Sequence, residues 1–134
     1  MRFTSSLDDI TPARLDGHFM DWPNKPTAEA HLRILEGSDF FVLAVDHETG
    51  HVIRWISAIS DRVSSAFIPH LGVLPDFQGK GIGTELVRRC LEHYKEIYAI
   101  DLMCDEDVVP FYEKSGLKRG IGMVSRNYSR QKCD

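Results

Sequence analysis

Val73-Leu74-Pro75-Asp76-Phe77-Gln78-Gly79-Lys80-Gly81-Ile82-Gly83-Thr84 joins a run of strand character to the most regular helical pattern in the chain. Upstream, Ser64 to Val73 reads as a strand with Pro69 and Gly72 inside it. Proline removes a ladder donor, and glycine in a strand marks a bulge or a close approach, so this strand is expected to break or splay near its end. Downstream, residues 80 to 95 place Ile82, Leu86, Cys90 and Tyr94 four apart, with Val87 and Leu91 beside them. Glu85, Arg88, Arg89, Glu92, His93 and Glu96 fill the other face, which is the pattern of an amphipathic helix. Three glycines occupy alternate positions at its entry. The first N–H groups of a helix have no partner within it, and the aligned peptide dipoles add positive potential there. A phosphate or diphosphate is the natural ligand of such a turn, and a plain glycine-rich turn is the bland alternative.

Spacing excludes the familiar nucleotide loops. A P-loop needs Ser or Thr after Gly-Lys, whereas Gly81 follows Gly79-Lys80. A dinucleotide fingerprint counted from Gly79 ends on Thr84 instead of glycine.

Working outward, residues 10 to 36 read as helical with a break at Trp22-Pro23-Asn24-Lys25-Pro26. Thr27 is placed to cap the second part, Ala28, Leu32 and Leu35 give it an apolar stripe, and Gly37 ends it. Phe40 to Val45 reads as a buried strand, Asp46 to Gly50 as a turn, and His51 to Ile59 as a second strand. After the long helix come a strand over Ile97 to Met103, a short helix over Asp107 to Lys114, and a final strand over Leu117 to Ser125 weakened by Gly120 and Gly122. This order predicts an α/β (α+β) architecture with a mixed sheet flanked by helices, in one domain over residues 1–134.

Composition narrows the function. The chain has 134 residues, a net charge of −4 and 43% hydrophobic residues, which is the balance of a globular protein with its own core. The longest apolar run, Phe40 to Val45, is far short of the roughly twenty residues of a membrane helix. The N-terminal residues show no signal-peptide core. Cys90, Cys104 and Cys133 are too few and scattered for a disulfide framework or thiolate zinc cage. We therefore expect a cytoplasmic protein with no membrane, nucleic-acid or metal partner.

Gln78-Gly79-Lys80-Gly81-Ile82-Gly83 resembles the Q/R-x-x-G-x-G/A signature of the GNAT superfamily of N-acetyltransferases. Pro110-Phe111-Tyr112-Glu113-Lys114-Ser115-Gly116-Leu117 resembles that family's F-Y-x-x-x-G-F block, with Leu117 in place of the usual Phe. Asp39 to Ile59 resembles the second and third strands, Ser64 to Val73 the fourth, and Ile97 to Met103 the fifth. The resemblance implies a central, mostly antiparallel sheet whose fourth and fifth strands splay. It implies acetyl-coenzyme A as cosubstrate and direct transfer of acetyl to a primary amine of a small molecule or peptide in a ternary complex. The other readings are a coenzyme-binding module without turnover, and an acyltransferase for another acceptor or acyl group. Dimers are common in the family, and the C-terminal strand or the sheet edge is where a homodimer is expected.

The resemblance also implies roles. Gln78, Gly79, Lys80, Gly81, Gly83 and Thr84 would surround the diphosphate. Val73 would pair with the pantetheine arm, and the backbone near Leu71 would face the thioester. Tyr112 would lie near the sulfur as general acid. Where some relatives carry an acidic base this chain has Gly72, so His70 is the candidate base, with Asp101 and Asp105 as rivals. Arg54-Trp55 replaces the family's small residues and is expected to narrow the substrate side. Phe19, Trp22 and the loop through Pro26 lie in the acceptor-shaping region.

Several patterns carry less. His47-Glu48-Thr49-Gly50-His51 matches H-E-x-x-H, but it falls between two strand patterns and not on a helix. Cys104 precedes two acids that disfavour a thiolate, Cys90 belongs to the helix stripe, and Cys133 lies in a polar tail.

Overall fold

The computed structural model describes residues 1–73 and 79–134, with Val73 by its backbone alone. The strands are β1 (Arg2–Thr4), β2 (Phe40–Val45), β3 (Val52–Ser60), β4 (Ser65–Val73) and β5 (Ala99–Leu102). The helices are α1 (Ala28–Gly37), α2 (Ile82–His93) and α3 (Val109–Glu113). The five strands lie side by side in chain order. Every pairing is antiparallel except that of β4 with β5.

The apolar runs that fill β2 and β3 are buried on both faces because helices cover both. On one side α2 lays Ile82, Leu86, Val87 and Cys90 against Val42, Ile56 and Ala58. On the other, Leu35 of α1 and Leu15 pack with Leu43, Val45, Val52 and Trp55. Cys90 is a buried thiol pushed up to about 12 by desolvation, as a core position requires. The Thr27 hydroxyl accepts a hydrogen bond from the Ala30 N–H at 3.1 Å and caps α1 as its sequence position suggests.

Three elements differ from the sequence reading. The front of the 10–36 segment is only a 3-10 turn over Pro12–Leu15, because glycine and proline leave no room for a second α-helix before Thr27. Arg2–Thr4 forms the edge strand β1, paired with Leu43–Val45, although three residues are too short to show a period. Leu117 to Ser125 is not a strand. Ile121 and Met123 are 101% and 94% exposed, and the segment is held elsewhere, by an Arg119–Glu106 ion pair and by Gly122 against Met103.

The register of β4 decides the site. His70 pairs with Ser57 and Phe67 with Ile59, so Ile68 and Pro69 together oppose Ala58 in a bulge. Pairing with β5 covers only Ser65–Ile68 and stops at the proline. From Pro69 to Val73, β4 is bonded to β3 alone, and the sheet opens between β4 and β5.

Behind β4, on the α1 side, lies an aromatic cluster. The His31 ring is 4.2 Å from Trp55, the His18 ring 5.3 Å from His31, and the His70 ring 5.4 Å from Trp55. Burial keeps these rings neutral: His31 is pushed down to about 3, further by the nearby His18 and His70, while His70 falls to about 4 and His18 is lowered. In the unfolded chain the same groups titrate near 6.5. Below that pH the unfolded state binds more protons, so stability is complete above about 6.5 and declines as pH falls toward about 4. Urea midpoints are therefore expected to drop between pH 7 and pH 5. A midpoint that stays level across that window contradicts this account.

Candidate active site

The opening between β4 and β5 is bordered by the start of α2 and by α3. Gly79 and Gly81 have φ of +78° and +74°, a left-handed conformation that side chains resist. Gly81 is the N-cap of α2, and among the described residues no side-chain hydrogen bond caps the helix, whose first N–H groups have no partner within it. Among the described residues, nothing lies within 4 Å of where a Cβ would stand at Gly79 or Gly81. Lys80 and Thr84 are exposed on the same turn. Gln78 lies outside the described residues.

Arg54 enters from below. The bulge at Ile53 in β3 sets Arg54 on the α2 face and Trp55 on the α1 face, so the pair does not act together. The Arg54 guanidinium lies on the backbone of Gly83: a Cβ there would sit 2.5 Å from Nη2 and 2.7 Å from Cζ. Its Nε is buried without a hydrogen-bond partner. Desolvation lowers the pKa of Arg54, and the Tyr112 phenol opposes that. Trp55 instead lies over Gly72, its register partner, and fills the opposite core. Sequence order joined these two residues; only the strand's pleat separates them.

Tyr112 reaches a cavity of about 580 Å³ at the open end of β4 and β5, shared with Leu71, Cys104, Asp105 and Trp22. Burial and the neighbouring Cys104 push the phenol up to about 12, and Arg54 acts against them. At neutral pH it is a proton donor. Cys104 is also held upward, chiefly by desolvation and then by Asp105, and stays a thiol. His70 does not line this cavity. It faces Trp55, and its Nδ1 is 3.4 Å from the Ser57 hydroxyl. Asp101 lies away from Tyr112's cavity, in a groove under residues 118–123, although Tyr112 borders both.

The C-terminal residues close the far wall, a contribution that their composition does not reveal. Arg126, Asn127, Tyr128, Gln131 and Cys133 line the Tyr112 cavity. The Gln131 side chain accepts from the Asn24 N–H at 3.2 Å, and Arg33 donates to the Cys133 carbonyl at 3.0 Å. The tail is thereby fastened to α1 and the loop before it. Contacts across 100 positions or more leave no local sequence signal.

The H-E-x-x-H segment forms the β2–β3 turn. Asp46 accepts from the Thr49 hydroxyl at 2.7 Å, and His51 Nε2 is 2.9 Å from the Asp16 carbonyl. Among the described residues, no group of three or more His, Cys, Asp or Glu side chains is placed to hold a metal ion. No helix among them is long and apolar enough to cross a membrane.

The model of the acetyltransferase (GNAT) family matches residues 7–117. The chain belongs to that family. A crystal structure from Deinococcus radiodurans R1, described as an acetyltransferase, is 45% identical, covers 98% of this chain and 91% of its own, and superposes with a TM-score of 0.94. A GNAT-family acetyltransferase from Streptococcus pneumoniae TIGR4 is 27% identical over 94% of this chain and 96% of its own, with a TM-score of 0.68. The curated N-acetyltransferase ycf52 of Pyropia yezoensis, itself uncharacterized, is 28% identical over 98 residues, 71% of this chain. The chain spans only 56% of that relative's length. The mixed sheet of the GNAT fold is thus present, with its opening between β4 and β5 and its glycine turn at the start of α2. Acyl transfer from acetyl-coenzyme A is the general chemistry of that family.

Proposed function

We propose that this GNAT protein transfers an acetyl group from acetyl-coenzyme A to a primary amine by direct attack in a ternary complex. One observation carries the reading: the stretch of β4 with no partner on its β5 side lies between the start of α2, which no side chain caps among the described residues, and the protonated Tyr112 hydroxyl. The residues suit a diphosphate-bearing thioester. Gly79, Lys80, Gly81, Gly83 and Thr84 would surround the diphosphate, where a helix start with no side-chain cap and the helix dipole favour negative charge. The backbone of Leu71 to Val73, which has no partner on its β5 side, would pair with the pantetheine arm. An amide of the same stretch would donate to the oxygen that becomes negative as the amine attacks.

Tyr112 would donate its proton to the departing sulfur. The amine attacks only when neutral, so a proton must leave the incoming ammonium. His70 is the base candidate named from the sequence, but it lies behind the strand and off this cavity; Asp105, a carboxylate that lines the Tyr112 cavity, is the base we assign. Trp22 and the tail residues Arg126 to Gln131 would shape the acceptor's site. Holding amine and thioester together removes much of the entropic barrier.

Calorimetry with acetyl-coenzyme A and with coenzyme A tests the first half: saturable binding below millimolar concentration is expected. Thiol release over a panel of small amines and peptides tests the second. Binding with no turnover across that panel would favour a coenzyme-binding module. No binding at millimolar coenzyme would end the acetyltransferase reading for this chain.

A further inference from the structure

Resting on the coenzyme-binding reading above, the geometry points to Arg54 as a coenzyme-binding residue whose guanidinium pairs with the diphosphate at the start of α2. Arg54 belongs to β3 and lies 25 positions or more from the glycine turn in sequence. Its backbone pairs with Val73, the last residue of β4. From there its side chain crosses to the first turn of α2 and lies on Gly83, where the missing Cβ leaves it room. Any side chain at position 83 would meet the guanidinium at 2.5 to 3.1 Å.

This arrangement sets a cation against the positive end of a helix. Like charges meeting in a half-buried place repel, and neither is well hydrated. A structural arginine would be expected to have a carboxylate. Among the described residues none pairs with it, and the Tyr112 phenol is the ionisable group that acts on it. The two Nη groups remain available, since only Nε is buried without a partner. An anion between the guanidinium and the helix start turns both repulsive partners into attractive ones. A diphosphate matches: its oxygens accept the parallel N–H bonds of a guanidinium fork while others face the helix amides. Desolvation depresses the proton affinity of Arg54, in keeping with a missing counter-charge.

Arg54 touches the helix start and borders Tyr112, so its action could fall on either end of the bound thioester. The two ends are separable by chemistry. Acetyl-coenzyme A carries the diphosphate, whereas S-acetylpantetheine has the same thioester and no phosphate. Replacing the guanidinium removes a charge-assisted contact, whose usual worth corresponds to roughly 10- to 100-fold in affinity.

The test measures binding of coenzyme A by calorimetry, and turnover of both thioesters, in wild type, R54M and R54Q. Melting of each variant without ligand checks that it folds. Coenzyme A is expected to bind both variants about 10- to 100-fold more weakly, with a shallower dependence on salt. Turnover of S-acetylpantetheine is expected to fall far less than turnover of acetyl-coenzyme A. A folded R54M or R54Q that binds coenzyme A as tightly as wild type overturns the inference. Equal losses on both thioesters also overturn it, because they place Arg54 at the thioester and Tyr112 end. Wild-type protein that ignores coenzyme A altogether overturns the acetyl-transfer reading itself, and that outcome is distinct from either of these.

Discussion

Tyr112→Phe is expected to lower kcat for acetyl transfer by about 100-fold or more while leaving the affinity for acetyl-coenzyme A nearly unchanged. The substitution keeps the ring that packs against Phe111, whose centroid is 5.0 Å away, and removes only the hydroxyl. That hydroxyl makes no hydrogen bond among the described residues, so the fold does not depend on it. Its pKa is held up to about 12, first by burial and then by Cys104, so it carries its proton across the working pH range. A thiolate that must leave into a half-buried cavity gains most from a donor already in place. Single-turnover measurement of thiol release under saturating thioester checks this. If release is as fast in Y112F as in wild type, Tyr112 has no part in the chemistry. A loss confined to KM would make it a binding group.

The largest effect on stability is expected at Trp55. Trp55→Ala should cost about 3–5 kcal/mol, because the indole is among the largest fully buried side chains and its removal leaves a cavity. For a domain of this size that lowers Tm by on the order of 10 °C. The indole lies over Gly72, on the strand that opens toward the candidate active site. A methyl group at Gly72 would fall inside the indole ring system, so Gly72→Ala is expected to destabilise as well, by about 1–3 kcal/mol. Trp55→Phe should be milder, since it retains most of the packing and removes an indole N–H that is buried without a partner. Chemical unfolding of the three variants gives the order directly. A Trp55→Ala protein that unfolds at the same denaturant concentration as wild type would contradict the packing described here.

The wall of the Tyr112 cavity illustrates how far local sequence reaches. Trp22 was placed in an acceptor-shaping region by resemblance, and the structure puts it on the cavity of Tyr112. Arg126, Asn127 and Gln131 border the same cavity, yet nothing in their order marks them. They arrive there because Asn24 and Arg33 hold the tail across α1. Leu117 to Ser125 reads as a strand weakened by two glycines, but a strand exists only where an edge pairs with it. β5 has four residues, and the chain passes it by.

By itself the sequence determined the amphipathic period of α2, the continuous apolar run of β2, the Thr27 cap and the glycine turn that begins α2. Each rests on interactions within a few residues, so each is written locally. The proline in β4 belongs with them, because a missing N–H ends pairing wherever the strand is placed. Tertiary structure alone decided which layer Arg54 and Trp55 each enter, that His70 lies behind the strand, and that the tail walls the Tyr112 cavity. Those outcomes depend on a bulge register and on contacts between distant segments, and no short stretch of residues contains either.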